Sequence, residues 1–136
     1  MWSKWLLIWS FLCCSVGFSQ FGNEWIEYDQ QYYTFKIYQD GFYRLDYALM
    51  EAAGVPVASI APENYQLFGF EKEQEIWIEG AEDGSFDPGD FILFYGQKNT
   101  AWLDSLLYDD PDQVVNKYYP LYSDTIHYFL TWNGAT

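Results

Sequence analysis

The chain has 136 residues, half of them hydrophobic and 23% aromatic, with a formal net charge of −14. A surface this acidic repels nucleic-acid phosphate and anionic lipid, which argues against DNA, RNA or anionic membranes as partners. Both cysteines, Cys13 and Cys14, sit near the N-terminus, so the rest of the chain has neither a disulfide nor a thiol.

Lys4 is the only charge before an apolar run from Trp5 to Cys14, and Gly17-Phe18-Ser19 places small residues where a leader would be cut before Gln20. This pattern predicts a secretory signal peptide over 1–19, with a run too short for an ordinary membrane span. Leu12 and Cys13 stand where a lipobox needs a small residue, which disfavours a lipoprotein. The expected destination is the periplasm, the cell surface or the medium. Removing residues 1–19 from the 136 leaves 117, enough for one packed domain without staples.

The first strand is expected over Tyr32–Tyr38, with Tyr33, Phe35 and Ile37 on one face and Thr34 and Lys36 on the other. Asp40-Gly41 reads as a turn, with Phe42–Leu45 returning as its partner strand. Asp46 is placed to cap a helix over Tyr47–Ala53, with Leu45 and Met50 spaced as a hydrophobic staple and Gly54 and Pro56 as the stop. Tyr65–Phe70 and Gln74–Glu79 read as strands joined at Glu71-Lys72-Glu73.

Gly80 to Gly96 (GAEDGSFDPGDFILFYG) reads as a long hairpin connection feeding a strand, Phe91–Tyr95. Between Gly96 and Thr125 the signal weakens, with Trp102, Leu106 and Leu107 as apolar anchors of an excursion packed on the sheets. The last strand is Ile126–Trp132. The expected fold is mainly β, a β-sandwich (Ig-like or a small barrel) over 20–133 with one short helix. Residues 134–136 read as the start of a following segment. The expected core includes Phe35, Ile37, Leu45, Ile76, Ile78, Leu93 and Leu130.

Several of these segments, in this order, resemble the N-terminal region of gingipain-family cysteine peptidases, specifically the sortase-like proteins of the type IX secretion system. They are Tyr33–Tyr47 (YTFKIYQDGFYRLDY), Ala53-Gly54-Val55-Pro56, Tyr65-Gln66-Leu67-Phe68, Asp83–Gly96 (DGSFDPGDFILFYG), Asp104–Tyr108 (DSLLY) and Tyr128–Trp132 (YFLTW). The resemblance spans roughly residues 24–133. It implies a non-catalytic β domain ahead of a peptidase domain whose catalytic His and Cys lie beyond position 136. It therefore assigns no catalytic residue to this chain. The implied partners are that downstream peptidase domain and components of the secretion system. The resemblance also implies O-glycosylation at Ser or Thr between Asp and an apolar residue, a pattern met at Ser105 and Thr125.

The chemistry in the residues agrees with a non-catalytic role. His127 is the chain's one histidine, and no Gly-x-Ser-x-Gly elbow surrounds any serine. One histidine without a mature cysteine disfavours zinc. Asp83, Asp87 and Asp90, with Ser85 and Glu82, offer oxygen ligands for calcium, but Phe94 and Pro88 stand where an EF-hand loop needs Glu and Gly. The competing reading is a loop whose Asp side chains bond nearby backbone in Asx-turns. No cofactor is expected. Two other functional classes stay open: a secreted binding module, for carbohydrate or protein, using Trp77, Trp102 or Tyr118-Tyr119 as stacking platforms, and a carboxylate hydrolase needing a cleft with two correctly spaced acids.

Overall fold

The computed structural model describes residues 23–101 and 103–133; the expected leader, Trp102 and the 134–136 segment lie outside them, as does the Leu106 side chain. Among the described residues seven strands form two antiparallel sheets: β1 Tyr33–Ile37, β2 Gly41–Asp46, β3 Tyr65–Gly69, β4 Lys72–Gln74, β5 Ile76–Glu79, β6 Phe91–Gly96 and β7 Ile126–Trp132. One sheet has the order β1-β7-β3-β4 and the other β2-β6-β5. The inward faces build a core from Ile37, Leu67, Tyr128 and Leu130 on the first sheet and Ile92 and Phe94 on the second. Aromatic rings carry much of this contact. Phe94 lies 5.8 Å from Tyr128, 5.7 Å from Phe35 and 5.7 Å from Tyr43, centroid to centroid.

The expected hairpin between β1 and β2 does not form. β1 pairs with β7, with Phe35 opposite Tyr128, whereas β2 pairs with β6, with Tyr43 opposite Phe94. The Asp40-Gly41 turn is instead a corner between sheets. Asp40 Oδ1 accepts the Lys98 N–H at 2.8 Å and the Tyr43 hydroxyl donates to Gln39 O at 2.9 Å, so the corner is tied to the end of β6. Crossing over lets β1 and β2 press their apolar faces toward one another across the core rather than side by side. A second crossing occurs at Glu75. The stretch read as one strand, Gln74–Glu79, is split between β4, which pairs with β3, and β5, which pairs with β6. The expected link Glu71-Lys72-Glu73 is thus partly strand, and the turn itself is Phe70-Glu71, with φ of +54° and +60°. Both residues sit in the left-handed region that a tight two-residue hairpin demands.

The helix, α1, spans Tyr47–Ala52. Asp46 holds the N-cap position without a side-chain cap bond, because its carboxylate is paired with the Arg44 guanidinium. The staple residues Leu45 and Met50 both join the core. At the other end Gly54, at φ +85°, donates to Glu51 O, and Val55 donates to Met50 O. This is the Schellman arrangement, and it buries Val55 beside the helix it closes.

Leu93 does not belong to the inner core. β6 is apolar on both faces, and its inward residues are Ile92 and Phe94, so Leu93 points outward with Phe91 and Tyr95. Phe35, Leu45, Ile76 and Ile78 pack partly buried against the core, while Ile37 and Leu130 are fully inside.

Two connections complete the packing. The loop between paired β5 and β6 is the long hairpin connection expected, and it returns Phe86 to the core against Tyr47 and Tyr65. The segment before β1 covers the outer face of the larger sheet. Trp25 stacks on Phe68 at 5.0 Å and leans on Phe129 at 5.1 Å, and buried Thr131 donates to Gln31 O at 2.9 Å.

Candidate functional site

The two sheets differ on their outer faces. The larger one is roofed by Trp25 and its neighbours, whereas the outer face of β2-β6-β5 carries exposed aromatics. The register sets their positions. Phe42 lies opposite Tyr95, Arg44 opposite Leu93, and Leu93 opposite Trp77 on the other side, with Phe91 between Asp46 and Glu79. Phe42 and Trp77 are 76% and 64% exposed, and with Tyr95 they gather exposed aromatic surface on one sheet face.

Local contacts hold this face in place. Phe42 and Tyr95 meet edge to face at 5.4 Å. The Trp77 indole N–H donates to Glu79 Oε2 at 3.1 Å, which fixes the ring while leaving it in solvent. The Arg44 guanidinium lies 3.9 Å from the centre of the Phe91 ring and pairs with Asp46. Such an exposed cation–π contact contributes about 0.5–1 kcal/mol, and the half-exposed ion pair adds little. The result is an aromatic platform with charge at one end, suited to stacking or docking.

The acidic loop is built from local bonds. Asp83 Oδ1 accepts the Ser85 N–H at 3.0 Å and its hydroxyl at 3.1 Å, which holds the Asp83 carboxyl below its ordinary value. Asp90 Oδ2 accepts the Asp87 N–H at 2.7 Å. The Asp83 carboxylate thus closes an Asx-turn, and the Asp90 carboxylate reaches back to the backbone three residues upstream. Among the described residues no three His, Cys, Asp or Glu side chains stand where they could hold a metal ion.

His127 is exposed on the outer face of β7, opposite Lys36 on β1. It lines a shallow cleft of about 250 Å³ with Trp25, Phe70, Glu71 and Phe129. Of the expected stacking residues, Trp77, Tyr118 and Tyr119 are exposed, and Trp102 lies outside the described residues. Ser105, in a short 3-10 segment Leu103–Leu107, and Thr125 are each half-buried. Phe42 and Tyr95 were missed as platform residues, because both faces of Phe91–Tyr95 are apolar and the pairing of β2 with β6 is not local. No helix among the described residues is long and apolar enough to cross a membrane. Comparison of the chain with protein-family models, characterised proteins and solved structures finds no match.

Proposed function

We propose that this chain is the non-catalytic N-terminal accessory domain of an exported, gingipain-like cysteine peptidase of the type IX secretion sortase kind. In this reading residues 1–19 direct export, and secretion components are further partners. The domain docks through the outer face of β2-β6-β5 onto a peptidase domain carried by the same polypeptide beyond Thr136. The observation that supports docking is the contrast between the sheets: the chain roofs one outer face itself and leaves Phe42, Tyr95 and Trp77 open on the other, around a half-buried Leu93. The ordered segments that resemble the family support the identity of the partner.

The test is to determine the coding sequence past Thr136 and produce the longer protein. A His–Cys peptidase domain, with amides of β5 and β6 exchanging at least tenfold more slowly than in the 136-residue chain, is the expected result. Absence of such a domain overturns the peptidase reading. Unchanged exchange overturns the docking face. The fixed, solvent-facing Trp77 ring favours a second reading, a secreted binding module for neutral glycans or protein. Binding of the 136-residue chain to a neutral glycan, lost in Trp77→Ala, is the result that selects it.

A further inference from the structure

In the connection from β6 to β7 the backbone of 99–124 is fastened at several points, and the large side chains over 115–122 are turned outward. Asn99 N–H donates to Asp124 O at 2.8 Å, Asn99 Nδ2 donates to Ser123 O at 2.7 Å, and Leu121 N–H donates to Asp104 Oδ2 at 2.7 Å. Asp104 is itself buried, so this last bond is shielded from water. Between these ties Val115, Tyr118, Tyr119, Leu121 and Tyr122 are all exposed, Tyr122 by 87%. A loop that served only to connect strands would turn some of them inward. Tyrosines held on a positioned backbone are instead good contact groups, since each offers a large amphipathic surface with few torsions to freeze.

The charge around them is one-sided. Asp109, Asp110 and Asp124 have no ion pair with any described residue, and Lys117 is taken by Asp112 at 3.0 Å. One cation already uses a ring of this strap: Lys98 Nζ lies 5.3 Å from the centre of Tyr119. Tyrosine faces and carboxylates without a cationic partner attract arginine and lysine by cation–π and charge together. With a net charge of −14 the chain repels nucleic acids and anionic membranes, and the carboxylates around the strap complement a cationic protein surface.

We propose that residues 115–124 form a docking strap for a protein surface that presents arginine or lysine among apolar side chains. The inference stands apart from the peptidase reading. The tyrosine rings stack on the guanidinium or ammonium groups, Asp109, Asp110 and Asp124 set orientation, and the tied backbone limits the ordering cost.

The experiment is calorimetric titration of the 136-residue chain with a ten-residue peptide of alternating arginine and leucine, and with its glutamate–leucine counterpart. The expected result is binding of the arginine peptide alone, weakened at least tenfold in the triple variant Tyr118→Ser, Tyr119→Ser, Tyr122→Ser. Tyr38→Ser, at an exposed tyrosine outside the strap, should bind like the unaltered chain. The triple variant keeps every charge, so attraction to the acidic surface in general survives in it. Equal binding by the triple variant overturns the proposal, as does binding of the glutamate peptide or no binding of either. Tighter binding to duplex DNA or to phosphatidylcholine–phosphatidylglycerol vesicles also overturns it. The substituted side chains are exposed, and an unchanged thermal melt verifies that the fold is kept.

Discussion

Gly69 and Tyr128 lie so close across the larger sheet that a Cβ on Gly69 would stand 2.5 Å from Tyr128 Cε1. The tyrosine has nowhere to go. It is fully buried, its ring packs near Phe35, Phe70 and Phe94, and its hydroxyl oxygen accepts the Gln97 N–H at 3.0 Å. Gly69→Ala is therefore expected to destabilise the chain by about 2–3 kcal/mol through overpacking. Gly41→Ala, where an added Cβ meets nothing within 4 Å, is expected to stay within about 0.5 kcal/mol. Urea denaturation of both variants checks the contrast.

Tyr65 gives a prediction of opposite sign. Its hydroxyl is buried without a hydrogen-bond partner, so Tyr65→Phe is expected to stabilise the chain by about 1 kcal/mol at neutral pH. Tyr128→Phe, which deprives Gln97 N–H of its acceptor, is expected to cost about 1 kcal/mol. Denaturant midpoints of the two variants should move in opposite directions.

Burial also raises the Tyr65 and Tyr128 phenols above the ordinary value of 10.0. For Tyr65 the nearby Tyr47 adds to burial; for Tyr128 the Gln97 bond opposes it. Below pH 10 both are protonated in folded and unfolded chains, and their contribution to stability is complete. As pH climbs past 10 the unfolded phenols ionise first, the unfolded state binds fewer protons, and stability falls until the folded values are passed. Stability measured against pH should drop less steeply above pH 10 in Tyr65→Phe than in the unaltered chain.

The Phe70-Glu71 turn holds two side-chain-bearing residues at positive φ. Glu71 is exposed, so Glu71→Gly removes strain without removing packing and is expected to add about 0.5–1 kcal/mol. Phe70→Gly is not expected to help, because that ring meets Tyr128 edge-on at 6.2 Å. Thermal melts of the two variants distinguish the cases.

Trp25 should matter more than its place before the first strand suggests. Trp25→Ala removes the roof over Phe68 and Phe129 and is expected to cost about 2 kcal/mol. A loss under about 0.5 kcal/mol in denaturant titration would show that the roof is dispensable.

The positions of β1, β3, β6 and β7 were legible because alternation and flanking turns are local. Partnership was not. Alternation at Tyr33, Phe35 and Ile37 shows which side is buried but not whether the neighbour is Phe42–Leu45 or the distant Ile126–Trp132. A turn dipeptide such as Asp40-Gly41 serves a hairpin and a corner equally well. Leu93 was misplaced because Phe91–Tyr95 is apolar at every position, so neither face is marked. Trp25 was invisible for a related reason: a lone aromatic in irregular chain has no period to read. On the candidate face Trp77 was legible as a platform, while Phe42 and Tyr95 required knowledge that β2 and β6 are neighbours.

The central position of β7 in its sheet has a consequence for a chain that emerges N-terminus first. β1 and β3 do not touch as neighbours; each is joined to the other only through β7. Ile126 follows Ile37 by 89 positions and Gly69 by 57, so both strands must wait with open edges until the final strand arrives. The four-stranded sheet cannot be assembled piecemeal along the sequence. A ribosome delivering this chain leaves β1 and β3 unjoined until Ile126–Trp132 has emerged, so the loop-closure cost of the larger sheet falls late in synthesis.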